Sequence, residues 1–305
     1  MENLQFLLIV IFSPLVQGVI KKLKAACQGR VGAGVLQPYY DIFRLFKKDM
    51  VVAHTASWIF YVAPYVVFVS TVAACVMTPV VSVEGATFGI GGVIAIIYTL
   101  ALGRFFMALA GLDTGTAFGG EGSSREMTVA ILVEPMMMLA IFTSAIAGGS
   151  TSIATIARSG SVFYSPAHLL ALAAFVVAII AETGRIPVDN PDTHLELTMI
   201  HEGMILEYSG RYLALMEWAH VMKQMLLFTI AADLYFPVGI AGGTAGRGAL
   251  AAFGYYALKM LVMSAGMAVA ESSRAKLRFF QLPSLLGSAF VLSFLSLMTF
   301  IMMGR

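Results

Sequence analysis

What this sequence has little of is charge. Only 12% of its 305 residues are Asp, Glu, Lys or Arg, against 59% that are hydrophobic. Soluble domains carry about a quarter charged residues. Roughly half of the polar surface that keeps a chain in water is therefore missing, and lipid is the solvent that suits a mean hydropathy of +0.86. The net charge of +2 excludes the basic footprint that nucleic-acid binding needs. Cysteine is scarce as well: Cys27 and Cys75 form no CxxC and no ligand cluster. Neither a disulfide framework nor an iron–sulfur site is expected in this chain. No basic stretch precedes the first apolar run, and its basic residues follow it, as in a retained span rather than a cleaved signal. An internal repeat, the usual basis of a stand-alone secondary transporter, is also missing.

What is present is a succession of apolar runs. Crossing the hydrocarbon core takes about 20 apolar residues, and eight stretches qualify: 4–20, 58–80, 88–112, 127–148, 167–181, 212–235, 249–270 and 282–303. The expected fold is an all-α integral membrane protein, with residues 1–305 forming one domain of eight transmembrane helices. Ser123-Ser-Arg-Glu126 reads as a capping box ahead of the fourth span. Ser165-Pro166 reads as the N-cap and first residue of the fifth. Thirteen Lys and Arg residues fall in the loops after spans one, three, five and seven, against Arg158, Arg247 and Arg305 on the other side. That bias places the long loops in the cytoplasm and both termini outside a cytoplasmic (inner) membrane. Twelve of the seventeen carboxylates share the inner side, so the face carries both signs and suits docking of a soluble partner.

Ionisable residues inside the membrane are costly and mark function by default. Glu134 stands in the fourth span directly before Pro135, which frees the carbonyl of Ile131 and lets the carboxyl recruit water. In the sixth span Glu217, His220 and Gln224 lie on one helical face, with Lys223 beside His220. Lys259 in the seventh span is at similar depth. These groups form either a water-linked relay or static buried ion pairs. Arg104, near the inner end of the third span, reads as a snorkelling anchor. Asp233, near the outer end of the sixth, is either a proton exit or merely interfacial.

The inner loop between spans five and six opens with a Pro- and Asn-rich turn, after which Thr193-x-x-Glu196 caps a short helix. Its apolar residues surround His194 and His201, seven apart, and the segment reads as one packed between spans and partner. With no third ordered ligand the two histidines are not expected to hold a metal.

Several of these stretches together resemble the complex I subunit 1 family. They are Glu182-Thr183-x-Arg185-x-Pro187-x-Asp189, then Glu207-Tyr208-Ser209-Gly210, and the first inner loop Gly29-Arg30-Val31-Gly32-Ala33-Gly34-Val35-Leu36-Gln37-Pro38 with Tyr40-Asp41 and Lys47-Lys48. Within the family, Gly111-Leu-Asp-Thr-Gly-Thr-Ala-Phe118, Gly122-Ser-Ser-Arg-Glu126, Leu132-Val-Glu-Pro135 and Met216-Glu217-Trp218 are similar to the membrane subunit of energy-converting group 4 nickel–iron hydrogenases, including formate hydrogenlyase-type complexes. One departure is the replacement of part of the family's dense glutamate run by Asn190-Pro191-Asp192-Thr193-His194.

The resemblance implies a membrane anchor and ion-coupling subunit of an oxidoreductase complex, with no redox centre of its own. The nickel–iron centre and iron–sulfur clusters would belong to hydrogenase large and small subunits and iron–sulfur subunits docked on the cytoplasmic face. Antiporter-like membrane subunits would be its neighbours in the bilayer. The candidate proton relay comprises the intramembrane Glu134, Glu217, His220, Lys223 and Lys259 with Glu182 and Glu207, of which the resemblance carries over only Glu134, Glu182 and Glu207. The implied docking residues are Arg30, Gln37, Asp41, Asp113, Arg125, Arg185, Asp189, Glu196 and Glu202. The alternatives are a quinone-binding subunit of an NADH:quinone oxidoreductase and, from another class, a secondary transporter.

Overall fold

A computed structural model describes residues 5–82, 92–159, 165–189, 199–239 and 246–303. Each apolar run forms a helix: α1 (Phe6–Cys27), α3 (Trp58–Met77), α4 (Val93–Asp113), α5 (Ala117–Ala147), α7 (Pro166–Glu182), α9 (Gly210–Tyr235), α10 (Gly246–Ser273) and α11 (Leu282–Met303). Between them lie the shorter α2 (Gln37–Lys47), α6 (Ile153–Ser159) and α8 (His201–Ile205). Six helices are long and apolar enough to cross a membrane: α1, α3, α4, α5, α10 and α11. The other two differ for identifiable reasons, since α7 has only 17 residues and α9 interrupts its apolar run with Glu217, Lys223 and Asp233.

Helix starts follow local chemistry with one correction. Ser165 caps α7 as expected, its hydroxyl accepting from the His168 amide at 3.4 Å, with Pro166 as first helical residue. The fourth predicted span, however, does not begin at a Ser123 capping box. α5 starts ten residues before 127, and Thr116 is its cap, accepting from Gly119 N at 3.3 Å. Ser123 lies inside the helix and donates to the Ala108 carbonyl at 3.0 Å. The physical reason is close helix approach. A Cβ at Gly119 would stand 2.3 Å from the Gly111 carbonyl oxygen, so only glycine lets α5 begin against α4. The amphipathic α2 lay unrecognised within the first inner loop, and the helix read from Thr193 to Glu196 lies outside the described residues.

Two of the prolines inside helices tie the bundle together. Pro14 has no N–H to offer Val10, and Pro64 none to offer Phe60. A carbonyl freed in this way needs a donor from elsewhere. The Trp218 indole donates to Val10 O at 3.1 Å and the Tyr208 hydroxyl to Phe60 O at 2.9 Å. The Tyr208 ring also stacks on Phe60 with centroids 4.0 Å apart. Both donors come from α9 or the turn before it, so this segment braces α1 and α3 at their breaks.

α9 is the axis of the bundle. Every residue from Gln224 to Tyr235 is buried, as expected of a helix apolar on all sides. It packs against α1, α2, α3 and α7, while α11 closes over α5 and α7, and α10 lies along α1. This arrangement brings the middle parts of α4, α5 and α9 to the C-terminal end of α7, where charged side chains collect.

Candidate functional site

Arg104 of α4 sits at that point and is only 6% exposed. It does not snorkel; it is surrounded. Its Nη1 donates to Glu134 Oε1 of α5 at 2.8 Å, its Nη2 donates to the Glu182 carboxylate at the end of α7, and its Nε lies 3.5 Å from Glu126 Oε1 of α5. Glu126 and Glu134 are eight residues apart, a little over two turns, which aims both at one guanidinium. Lys223 of α9 adds a second cation, 2.6 Å from Glu182. Two cations thus meet three carboxylates. Beside them lies a cavity with about 40 Å³ open to the centres of water molecules, lined by Arg104, Glu126, Glu182, His201, His220 and Lys223 among others. A single water needs about 10–15 Å³ by that measure, so the space admits a few waters.

A second cluster forms around Arg185, just past the end of α7 and only 3% exposed. Its guanidinium donates to Glu271 of α10 at 3.3 Å, to Gln224 of α9 at 2.7 Å and to Gln17 of α1. Lys24 of α1 lies 3.0 Å from Glu271. The adjoining cavity, about 250 Å³, is lined by Gln17, Lys21, Lys24, Arg185, Glu202, Glu217 and Glu271, together with His201 and His220. Those two histidines line both cavities, their rings 4.3 Å apart. Burial holds the His201 imidazole below its ordinary pKa, only partly offset by the nearby Glu217, so at neutral pH it stands uncharged between the clusters.

The residues singled out from sequence divide accordingly. Glu134, Glu182 and Lys223 join around Arg104, whereas Glu217 and His220 line the second cavity. Lys259 enters neither cluster and is instead the charged neighbour of Asp233. Glu207 also enters neither; its neighbours explain the motif. Ser209 exchanges hydrogen bonds of 2.8 Å with Val51 N and O. Gly210 takes φ +53° where a Cβ would meet Asp49 O at 2.7 Å.

Of the docking candidates, Arg30 is exposed, and Gln37 donates to Asp41 at 2.8 Å along α2. Asp113 caps α3 by accepting from Ser57 N at 2.7 Å and from its hydroxyl. Arg125 pairs with Glu121 at 2.6 Å, donates to Met199 O at 3.2 Å and lies over the Phe279 ring. Arg185 and Asp189 are buried; Asp189 holds Lys276 at 2.7 Å and accepts from the amides of Ile200 and His201. Glu202 lines the second cavity, and Glu196 lies outside the described residues.

Sequence reasoning missed the hub itself. The signal was there in the cost of placing Arg104 inside a span, with carboxylate-bearing motifs in α5 and at the end of α7. Glu126 was misread because its capping pattern mimicked a helix start, and Glu271 because nothing in its flanks marks it. Among the described residues no group of three His, Cys, Asp or Glu side chains gathers as a metal-ligand set.

Comparison with known proteins places this geometry in context. The sequence matches the NADH dehydrogenase family over residues 1–303. It is 35% identical to hydrogenase-4 component C of Escherichia coli over 277 residues, covering 90% of this chain and 87% of the relative. It is 32% identical to formate hydrogenlyase subunit 4 of the same organism over 298 residues, covering 96% and 95%. Its fold resembles a chain of the membrane-bound sulfane sulfur reductase, an archaeal respiratory membrane complex. The TM-score is 0.81 at 17% identity, over 97% of this chain and 98% of that one.

Proposed function

Because this chain belongs to the NADH dehydrogenase family, that of complex I subunit 1, we propose that it is the membrane anchor and ion-coupling subunit of an energy-converting hydrogenase complex. The observation that carries the reading is the sharing of one buried guanidinium, Arg104, by Glu126, Glu134 and Glu182, with Lys223 on the last. A buried cluster with more carboxylates than cations is strained electrostatically until it takes up a proton. The water-sized cavity beside it gives that proton a way in.

The chain spans a cytoplasmic membrane eight times, α7 and α9 included, with both termini outside and the α2 and α8 segments at the inner face. The nickel–iron centre and iron–sulfur clusters reside in large, small and iron–sulfur subunits docked there, and antiporter-like subunits adjoin in the bilayer. Redox change in the docked arm shifts charge near the inner segment. Asp189 holds the amides of Ile200 and His201 there, so a displacement reaches His201, His220 and then Lys223 and Glu182. Returning a proton across the bilayer against its potential requires roughly 2.3 kcal/mol per charge per 100 mV.

The test is Glu134→Gln in the assembled complex, reconstituted in vesicles. Hydrogen-linked electron transfer persists and ion translocation stops. Translocation at the unaltered rate would remove Glu134 from the path.

A further inference from the structure

Asp233 takes no part in either cluster, and its surroundings are unusual for a carboxylate. It lies near the end of α9 remote from Arg211, is 2% exposed, and its Oδ2 accepts no hydrogen bond from the described residues. One turn earlier on the same face is Thr229, fully buried, whose hydroxyl donates to Met225 O at 2.9 Å. With that proton committed, the Tyr256 hydroxyl of α10, 2.8 Å away, is the donor to Thr229. Lys259, three residues beyond Tyr256 on α10, is the charged neighbour of Asp233, yet no ion pair within 4.0 Å joins them among the described residues. Side chains lean towards the N-terminus of their helix, so Lys259 reaches back along α10 towards the Asp233 level. Cys75 of α3 borders Tyr256. Of the other titratable groups on packed elements, His168 of α7 faces Phe300 and Arg158 of α6 is exposed.

Ten residues of α9, about 15 Å, separate Lys223 from Asp233. Met225, Leu226, Leu227, Phe228 and Ile230 fill that interval, each at most 3% exposed. Thr229 is the one polar residue between Met225 and Asp233 on α9, so water finds few partners along this helix from the Arg104 cluster to Asp233. Translocation needs such an insulated pair of sites, because a continuous wire would discharge the gradient.

We infer that Asp233, one turn beyond the Thr229–Tyr256 pair and with Lys259 as its charged neighbour, is a second proton-binding site beyond these apolar residues. The occupant is a proton and not a metal cation. A hard cation needs several oxygen ligands, and here one carboxylate faces hydroxyls and a lysine. The inference rests on the bundle alone and not on the coupling role of Arg104.

Infrared difference spectra of the purified complex, taken as pH is lowered through neutrality, test it. A protonated carboxylic C=O band grows in, shifts in heavy water, and is lost in Asp233→Asn. An Asp233→Asn spectrum that keeps every such band overturns the assignment, since Asp233 then stays ionised as a static partner of Lys259. Loss of the band on adding sodium at constant pH overturns the proton as occupant. Should Asp233→Asn fail to assemble, Lys259→Gln decides the matter: the pH at which the band appears is displaced, and an undisplaced titration overturns the site. Glu134→Gln leaves the band in place whatever it does to translocation, which keeps this result separate from the relay.

Discussion

Two buried arginines stand a short way apart at one end of the bundle, and the structure treats them differently. Arg104 meets Glu126, Glu134 and Glu182, with Lys223 as the only other cation paired there among the described residues, so carboxylates outnumber cations. Arg185 meets one carboxylate, Glu271, which Lys24 also contacts, and its remaining donors go to the amides of Gln17 and Gln224. There neutral amide acceptors complete the guanidinium. Amides cannot take up a proton at physiological pH; carboxylates in excess can. The first cluster is built to change charge and the second to hold three helices together. His201 and His220, lining both cavities, are the only side chains placed to connect them among the described residues.

The sharpest break in this contrast is removal of the hubs. Arg104→Met leaves the buried Glu182 and the partly buried Glu126 and Glu134 with one lysine and destabilises the assembled protein by about 3 kcal/mol or more, read as a lower melting temperature or loss of assembly. Arg185→Met costs less than this, because Lys24 still compensates Glu271. Equal losses would dissolve the distinction.

The next test removes one charge from each side. Glu134→Gln relieves the carboxylate excess, so the melting temperature changes little and ion translocation is lost. Glu271→Gln removes the carboxylate that Arg185 and Lys24 share, so stability falls by about 2 kcal/mol while any translocation in assembled complex continues.

A smaller effect lies in the bridge between clusters. His201 titrates below the ordinary value of about 6.5 when folded. The unfolded chain therefore binds the proton first, and stability, intact above that value, falls as pH drops below it. His201→Gln flattens the acid side of a melting-temperature profile; an unchanged profile would show that the imidazole is not buried uncharged. Least affected is Lys276→Met. Its buried partner Asp189 keeps the amides of Ile200 and His201, so the loss is about 1 kcal/mol.

Legibility differed between backbone and site. All eight apolar runs are helices because twenty-odd apolar residues leave the backbone no other way to satisfy itself in lipid. Pro14 and Pro64 announced freed carbonyls, but the donors that fill them, Trp218 and Tyr208, are 208 and 148 residues away in sequence. Lys223 and Lys259 looked equivalent by depth along their helices. Helix rotation and neighbour order turned one to Glu182 and the other to Asp233. Arg104 was misjudged because snorkelling and burial look the same in one dimension. The choice depends on whether α5 and α7 stand in the way.

By itself, then, the sequence determined the helical membrane class, the extent of its apolar runs, the start of α7 and the family motifs, since each rests on residues near one another in the chain. Tertiary structure alone decided which charges share a cavity, which arginine gathers carboxylates and which gathers amides, and that Asp233 is buried with Lys259 as its charged neighbour. Those outcomes depend on how helices rotate and pack, and packing is set by the shapes of whole faces, such as the glycine-lined approach of α4 to α5, rather than by any local run of residues.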